Sequence, residues 1–204
     1  TFDELQNALI NEKWISHAEF RGKHGPSIPH RYILTEPKNI ILKNILDFFE
    51  SDDGKNDVLS GVFEIFPELH SEWMRKLDSN PSNFIIKGYF MKDAPGYEFD
   101  IHVDTPVYDM LSIIYFTETN DHNVTTTFYT DKYLSNPVQM NTEFCNGLIH
   151  VNTRDSWHSA CNRSNYNRYI LLLTMKLPTS KHIIKFNKVD TPGVNSCLLY
   201  TSPS

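Results

Sequence analysis

The chain has 204 residues, of which 40% are hydrophobic and 13% aromatic, enough for one globular domain with a sizeable core. Its formal net charge is −6 and it contains no block of basic residues, so nucleic acid is not expected as a partner. The longest apolar runs, such as YILLLTM at 169–175, are too short to span a bilayer, and no membrane partner is expected either.

The cysteines and the last residues of the sequence bear on its environment and origin. Cys145, Cys161 and Cys197 show no C-x-x-C spacing, which disfavours a zinc ribbon or a disulfide framework and predicts a reducing, cytoplasmic environment. The final residues, CLLYTSPS, match one reading frame of the transposase mosaic-end adapter of sequencing libraries. We therefore expect 197–204 to be a non-native artefact of a metagenomic reading frame, and we leave these residues out of the fold prediction.

Helical periodicity dominates the first part of the chain. Three segments show it: FDELQNALI (2–10), TEPKNIILKNILDFFES (35–51) and PELHSEWMRKL (67–77). Thr35 is the candidate N-cap of the second helix, and Pro37 would lie in its first turn. The stretch RGKHGPSIPHR (21–31) is typical of a loop. We expect 1–82 to form a helical buttress of the same domain.

From residue 83 the pattern changes to short runs of β-branched and aromatic residues separated by turn sequences such as DAPG and CNG. The seven runs are NFIIKGYFMKD, YEFDIHVD, MLSIIYFTE, TTTFYTD, GLIHVNT, DSWHSA and RYILLLTMKL. Seven short strands after helices predict an α+β domain, mainly β, built as a sandwich or barrel with helices on one side. The core would span 83–178, and 179–196 would form a tail with at most one strand.

The run FDIHVDTP (99–106) raises the first functional question. Alternate residues of a strand point to the same face, so a regular strand places His102 and Asp104 side by side. Glu98 and Asp100 would share that face, near the rim of any site, unless a twist or bulge diverts them. By itself the H-x-D motif fits the wet face of an amphipathic strand as well as half of a metal site.

Two distant residues extend the pattern. His158 lies in DSWHSA, and Arg168 opens the last strong strand ten residues later. A guanidinium there needs a partner, because burying an unpaired charge is expensive; the alternatives are an exposed strand end, a nearby Asp or a ligand. Two imidazoles and one carboxylate can bind one face of Fe(II) and leave other positions open, as in the 2-His-1-carboxylate facial triad.

This ordered set of motifs resembles the Fe(II)/2-oxoglutarate-dependent oxygenases, and within them the prolyl-hydroxylase-like group. The resemblance covers about 85–178 and is carried by GYF…DAPGYEFDIHVDTP…LSIIYFTE, TTTFY and GLIHVNTRDSWHSACN…NRYILLLTMKL. It implies a double-stranded β-helix, or jelly roll, with the N-terminal helices buttressing one sheet. It also implies that His102, Asp104 and His158 are the iron ligands, and that Arg168 holds the distal carboxylate of 2-oxoglutarate.

The resemblance implies weaker roles for other residues. Tyr115 matches a position whose hydroxyl binds the same carboxylate in relatives, although a core tyrosine explains it equally well. Tyr89 and Thr127 would lie on pocket-facing strands. His150 alternates with Val151 on a strand and could face the pocket, but we favour a structural role because lone histidines rarely bind metal.

The resemblance implies a dioxygenase that uses Fe(II), 2-oxoglutarate and O₂, with ascorbate as a supporting reductant, and releases succinate and CO₂. It would hydroxylate an unactivated C–H bond of a small molecule or of a peptidyl or free amino acid, with proline as the first candidate. Two alternatives remain open: a Zn(II)-dependent hydrolase and a catalytically inactive binding protein, both on a jelly-roll scaffold.

Overall fold

Helices and two antiparallel sheets make up the described part of the chain. The computed structural model describes residues 1–21, 27–104, 109–116, 122–131, 133, 135–140, 142–153 and 155–178, together with the backbone of 197–200. The expected tail, 179–196, lies outside the described residues. No helix within the described ranges is both long enough and apolar enough to cross a membrane.

Five α-helices occur in the described residues: α1 (Phe2–Ile10), α2 (His17–Arg21), α3 (Ile40–Glu50), α4 (Asp52–Ile65) and α5 (His70–Lys76). The predicted N-cap at Thr35 is wrong. Helix α3 begins only at Ile40, and the Asn39 side chain accepts a hydrogen bond from the Ile41 amide at 2.9 Å. The preceding turn is extended because the Glu12 carboxylate accepts the amides of Lys38 and Asn39.

The predicted jelly roll is confirmed. All seven runs predicted in 83–178 form strands, and a short β7 joins them. The strands are β1 (Ile15–Ser16), β2 (Arg31–Leu34), β3 (Ile85–Asp93), β4 (Tyr97–His102), β5 (Met110–Tyr115), β6 (Val124–Phe128), β7 (Val138–Gln139), β8 (Gly147–Val151), β9 (His158–Asn162), β10 (Arg168–Lys176) and β11 (Cys197–Tyr200). In the described chain, one sheet has the order β1-β2-β3-β10-β5-β8-β11 and the facing sheet β4-β9-β6-β7.

Strands outside the predicted core extend the larger sheet on both sides. The N-terminal region is not only helical, because β2 pairs with β3 and places Arg31 opposite Asp93. This pairing brings a residue from the expected loop 21–31 to the jelly roll. At the far edge β11 pairs with β8. The non-native origin expected for 197–204 concerns where these residues come from, and it stays a prediction.

Apolar side chains pack in two layers, one on each face of the larger sheet. Alternation along β10 sends Leu171 and Leu173 toward the helices, and Ile170 toward the smaller sheet. Helix α3 approaches β3 closely at Gly88, where an added Cβ would lie 2.7 Å from Leu46 Cδ2. The helices therefore anchor one face of the sheet, and the other face is left to line a cavity between the sheets.

Candidate metal and anion site

A bulge in β4 decides which side chains enter the cavity. Phe99 pairs with Ala160 and His102 pairs with His158, so three steps along β4 match two along β9. The extra residue interrupts the alternation of faces. Phe99 and His102 consequently share a face, with ring centroids 3.8 Å apart, and both line the cavity.

The bulge also removes the acidic residues from the site. Asp100 is exposed, and Glu98 accepts a hydrogen bond from the exposed Arg163 at 2.9 Å on the outer surface. Of the two alternatives for Glu98 and Asp100, a place near the rim or diversion by a twist or bulge, the structure shows the bulge. A regular strand would have held four polar side chains on one face, and the bulge brings in only His102 and Asp104.

The three predicted metal ligands converge. Ligand atoms of His102, Asp104 and His158 all lie within 4.8 Å of one another. Nε2 of His102 lies 3.7 Å from Oδ1 of Asp104, and Nε2 of His158 lies 3.4 Å from Oδ2. These separations suit donors around one small cation.

Backbone hydrogen bonds orient both imidazoles. Nδ1 of His102 lies 2.7 Å from the carbonyl oxygen of Asp100, and Nδ1 of His158 lies 2.9 Å from that of Ser156. A carbonyl oxygen only accepts, so Nδ1 must carry the proton in each ring. Nε2 of each ring therefore faces Asp104 and is the atom through which the ring would bind a metal.

The protonation states also suit a divalent cation. Burial by itself would raise the pKa of the Asp104 carboxyl, but the neighbouring His102, His158 and His150 outweigh it and hold that pKa below its ordinary value. Burial lowers the pKa of His158, although Asp104 opposes the shift. Near neutral pH the site therefore contains an ionised carboxylate and a neutral His158 imidazole, the forms that bind metal.

His150, for which the sequence favoured a structural role, faces the same cavity. Its Nε2 lies 3.7 Å from Oδ2 of Asp104, and its ring lies 5.2 Å from that of His158. Burial is the main cause that lowers the pKa of His150 to about 4. Its neutral imidazole lies beside the carboxylate oxygen that also faces His158, where it can help to orient Asp104.

Buried charged groups occupy the other end of the cavity. The carboxylate of Asp93 accepts hydrogen bonds from Arg168 (Nε, 3.0 Å) and from Arg31 (Nε, 2.6 Å; Nη2, 2.9 Å). Nη1 of Arg168 donates to the carbonyl of Thr125 at 3.2 Å. Burial alone would raise the pKa of Asp93, but the two guanidiniums outweigh it and hold that pKa below its ordinary value. Arg168 thus lines the cavity, as the resemblance implied, and also pairs with an aspartate.

The three residues assigned weaker roles lie near this end in different ways. Tyr115 is buried, and its hydroxyl donates to Thr126 Oγ1 at 2.8 Å. Thr126 lines the cavity, so Thr127, its neighbour in β6, lies on the opposite face of the strand. Tyr89 packs in the cluster between the sheets. It precedes the cavity-lining residue Met91 by two residues in β3, so both side chains point to the same face.

Arg31, Asp93 and His150 are the site residues that sequence analysis missed or undervalued. Arg31 belongs to a four-residue strand next to a loop-like stretch, and Asp93 precedes the turn sequence APG. The sequence left a nearby Asp open as a partner for Arg168, and Asp93 is that partner in the structure. Nothing local in the sequence marked Arg31, because its partner lies 62 residues away.

The similarity of this chain to known proteins lies in its fold and extends over most of its length. No family model matches this chain, and no curated protein matches it in sequence. A prolyl hydroxylase from Trichoplax adhaerens, solved with a hypoxia inducible factor peptide fragment, superimposes with a TM-score of 0.54 at 13% identity, over 85% of this chain and 75% of that one. The fold is that of the 2-oxoglutarate–Fe(II) oxygenases.

Two further solved structures share this fold. HygX from Streptomyces hygroscopicus, with nickel and 2-oxoglutarate bound, has a TM-score of 0.52 at 8% identity, over 88% of this chain and 78% of that one. A 2OG-Fe(II) oxygenase family oxidoreductase from Burkholderia pseudomallei has a TM-score of 0.50 at 9% identity, over 86% and 77%. The resemblance inferred from motifs is thus confirmed as a likeness of fold to the 2-oxoglutarate oxygenases and prolyl hydroxylases.

Proposed function

We propose that this chain is an Fe(II)- and 2-oxoglutarate-dependent dioxygenase that hydroxylates an unactivated C–H bond. The convergence of His102, Asp104 and His158 on one point of the cavity carries this proposal. The donor set has two imidazoles and one carboxylate, and it leaves positions open on the metal for an oxidant and a chelating cosubstrate. The guanidiniums at the opposite end add a second requirement, a ligand with a carboxylate remote from the metal.

The residues present fit the metal. Nε2 of both histidines and the carboxylate of Asp104 would hold Fe(II), and the backbone bonds at Nδ1 keep the rings aligned. When bound, iron and its cosubstrate supply the oxidising power: substrate R–H, 2-oxoglutarate and O₂ become R–OH, succinate and CO₂. The chain itself binds and orients these partners.

The walls of the cavity have a separate role. Apolar side chains line it between the triad and the guanidiniums, among them Leu111, Ile113, Ile170 and Leu172. Such a lining limits access of water to the metal, which protects the reaction from side chemistry. Arg168 would bind the distal carboxylate of 2-oxoglutarate, since a guanidinium matches a carboxylate in shape and charge.

A zinc hydrolase explains the triad less completely. Two imidazoles and one carboxylate also suit Zn(II) with an open position. Hydrolysis, however, needs no carboxylate anchor at the other end of the cavity, where Arg31 and Arg168 lie. The oxygenase uses both ends of the cavity, so it is the function that we propose.

For the substrate we propose a small molecule or a peptidyl or free amino acid, with proline first. The Trichoplax adhaerens prolyl hydroxylase, which has the same fold, was solved with a peptide fragment. The net charge of −6 disfavours a nucleic acid as the substrate.

The decisive experiment measures succinate. Purified protein is incubated with Fe(II), ascorbate, O₂ and 2-oxoglutarate, first alone and then with amino acids and proline peptides. We expect the wild type to form succinate above the protein-free blank, and His102→Ala to fall to that blank. His122→Ala is the matched control, because His122 is exposed in the turn before β6.

Two outcomes would overturn the proposal. One is equal succinate from the wild type and His102→Ala; the other is substrate turnover with Zn(II) and none with Fe(II) and ascorbate. An inactive binding protein is tested separately, by anaerobic addition of 2-oxoglutarate to the Fe(II) protein. The dioxygenase should show a metal-to-ligand charge-transfer absorption band that His102→Ala lacks.

A further inference from the structure

The anion end of the cavity contains more positive charge than Arg168 alone can supply. Arg168 and Asp93 form a buried pair with no net charge. Nε and Nη2 of Arg168 are directed at Asp93, and Nη1 contacts Thr125 and Thr126. A guanidinium has five N–H groups, and four of these are already engaged. Arg168 by itself cannot offer a two-pronged grip to an incoming carboxylate.

Arg31 supplies the missing charge and donors. It approaches Asp93 from β2 with Nε and Nη2, and its side chain is only 11% exposed. Among the described residues, Nη1 of Arg31 has no hydrogen-bond acceptor, and Arg31 lines the cavity. Its guanidinium carbon also lies 4.5 Å from the centre of the Tyr97 ring. These contacts fix the position of the Arg31 guanidinium and leave its Nη1 available to a ligand.

Tyr97 adds a second donor with no partner. Its side chain is fully buried and lines the same cavity, and its hydroxyl has no hydrogen-bond partner within the described ranges. Buried hydroxyls are nearly always paired, so an unpaired one in a cavity points to an acceptor on a ligand. The ring of Tyr97 also contacts Arg168, at 5.5 Å from its guanidinium carbon.

The net charge of the cavity indicates the class of ligand that it would bind. At the anion end two guanidiniums and one carboxylate sum to +1 (+2 − 1). At the metal end Asp104 and a divalent cation also sum to +1 (−1 + 2). The cavity with metal thus has a charge of +2, which a dicarboxylate dianion neutralises. Without Arg31 the anion end would be neutral and would suit an uncharged tail.

We propose, on the basis of the proposed function, that Arg31 and Tyr97 join Arg168 in binding the distal carboxylate of 2-oxoglutarate, and that Asp93 positions Arg31 beside Arg168. Arg31 then sets the preference for a dicarboxylic 2-oxo acid over a monocarboxylic one. This residue lies on a strand that the jelly-roll core does not contain. The N-terminal region thus contributes to the cosubstrate site as well as to the packing of the sheet.

The test compares two ligands that differ only in the distal group. Dissociation constants of 2-oxoglutarate and of 2-oxopentanoate, which lacks the second carboxylate, are measured by calorimetry with the Mn(II)-loaded protein. We expect Arg31→Met to weaken 2-oxoglutarate binding at least about tenfold, since a charge-assisted bond is lost, and to change 2-oxopentanoate binding less than about twofold. Arg163→Met, at an exposed arginine, should change neither.

A second variant distinguishes loss of the contact with the ligand from general damage to the fold. Arg31→Lys keeps the charge beside Asp93 but loses the fork, and it should weaken 2-oxoglutarate binding by less than Arg31→Met does. Unchanged 2-oxoglutarate binding by Arg31→Met would overturn the inference and leave the oxygenase proposal intact. Equal weakening of both ligands by both variants would also overturn it, because it would indicate general damage. A wild type that binds neither 2-oxo acid with Mn(II) would overturn the oxygenase proposal together with the inference.

Discussion

The two ends of the cavity hold polar groups in opposite ways. At the metal end, Nε2 atoms and carboxylate oxygens face one another at 3.4–3.7 Å, and the hydrogen bonds that hold the rings run to the backbone behind them. At the anion end, Asp93 joins two guanidiniums directly. Under the proposed function, a cation would complete the first end. The second is already an ion-pair network, with one positive charge in excess.

The difference shows how one cavity prepares for two kinds of ligand. A cation needs lone pairs that nothing else has engaged, so its ligands must be oriented from behind. An anion needs positive charge that stays buried without a ligand, and a shared carboxylate such as Asp93 makes this tolerable. Substitutions at the two ends should therefore have different effects. Those at the metal end should abolish metal binding, and those at the anion end should weaken both the binding of 2-oxoglutarate and the stability of the fold.

The largest effect is expected for Asp104→Asn. Replacing the carboxylate with an amide removes the only anionic ligand of the triad, and we expect Mn(II) affinity to fall by more than about 100-fold, with loss of succinate formation. Calorimetric titration with Mn(II) measures this. Asp100→Asn is the matched control, because Asp100 is exposed on the other side of the bulge. Similar losses for both variants would contradict the face assignment.

A smaller loss is expected for His150→Gln. Nε2 of this imidazole lies 3.7 Å from Asp104 without belonging to the triad, and loss of such supporting groups typically costs about 10- to 100-fold in metal affinity. The same Mn(II) titration applies. A loss as large as that of Asp104→Asn would make His150 a ligand, whereas an unchanged affinity would return it to a packing role.

At the anion end, Arg168→Met should raise the apparent KM for 2-oxoglutarate tenfold or more. Losing a charge-assisted pair typically costs at least about 1.5 kcal/mol, and the change leaves the anion end without net charge. Initial rates of succinate formation at varied 2-oxoglutarate concentration measure it, with Mn(II) affinity as the control for an intact metal end. An unchanged KM would remove Arg168 from the cosubstrate site.

The smallest effect concerns acid stability. The pKa of Asp93 in the fold lies below its ordinary 3.8, so this carboxylate stabilises the fold above about pH 4. That contribution is lost as the pH falls through the folded pKa. Arg31→Met removes one of the two cations and moves the pKa of Asp93 upward. The gap in free energy of unfolding between wild type and variant should therefore be constant from pH 7 to about 4 and narrow below it.

Urea denaturation of the metal-free proteins at pH 7, 5, 4 and 3 measures that gap. Arg163→Met again serves as the control, because its exposed pair with Glu98 contributes little to stability. A gap that stays constant down to pH 3 would contradict the assignment of Asp93 as the shared anion.

Local patterns predicted the strands and the ligands. Each of the seven runs in 83–178 is a short apolar segment bounded by turn residues, and such segments form strands whatever their partners are. The triad was predictable because His102 and Asp104 lie two residues apart, and His158 and Arg168 lie at fixed positions along a motif. The resemblance of the motifs to the 2-oxoglutarate-dependent oxygenases implied the jelly roll, which the structure confirms.

Contacts between distant residues decided the features that local sequence patterns did not. The N-cap at Thr35 failed because Glu12 accepts the amides that precede α3. For Glu98 and Asp100 the sequence left two alternatives open, and pairing with β9 decided for the bulge, which the alternation of β4 does not reveal. In each case a partner distant in sequence decided the local geometry.

The sequence by itself therefore determined the seven strands of 83–178, three of the helices and the candidate metal ligands, since these follow from residue types at short spacing, whereas it gave no sign of α4 or of β2. Only the tertiary structure decided which face His102 presents, that His150 supports Asp104, and that Arg31 shares Asp93 with Arg168. These depend on strand register and on contacts as much as 75 residues apart. Short-range periodicity does not reveal such contacts, because they form and stabilise the protein only after the strands have paired and the two sheets have packed together.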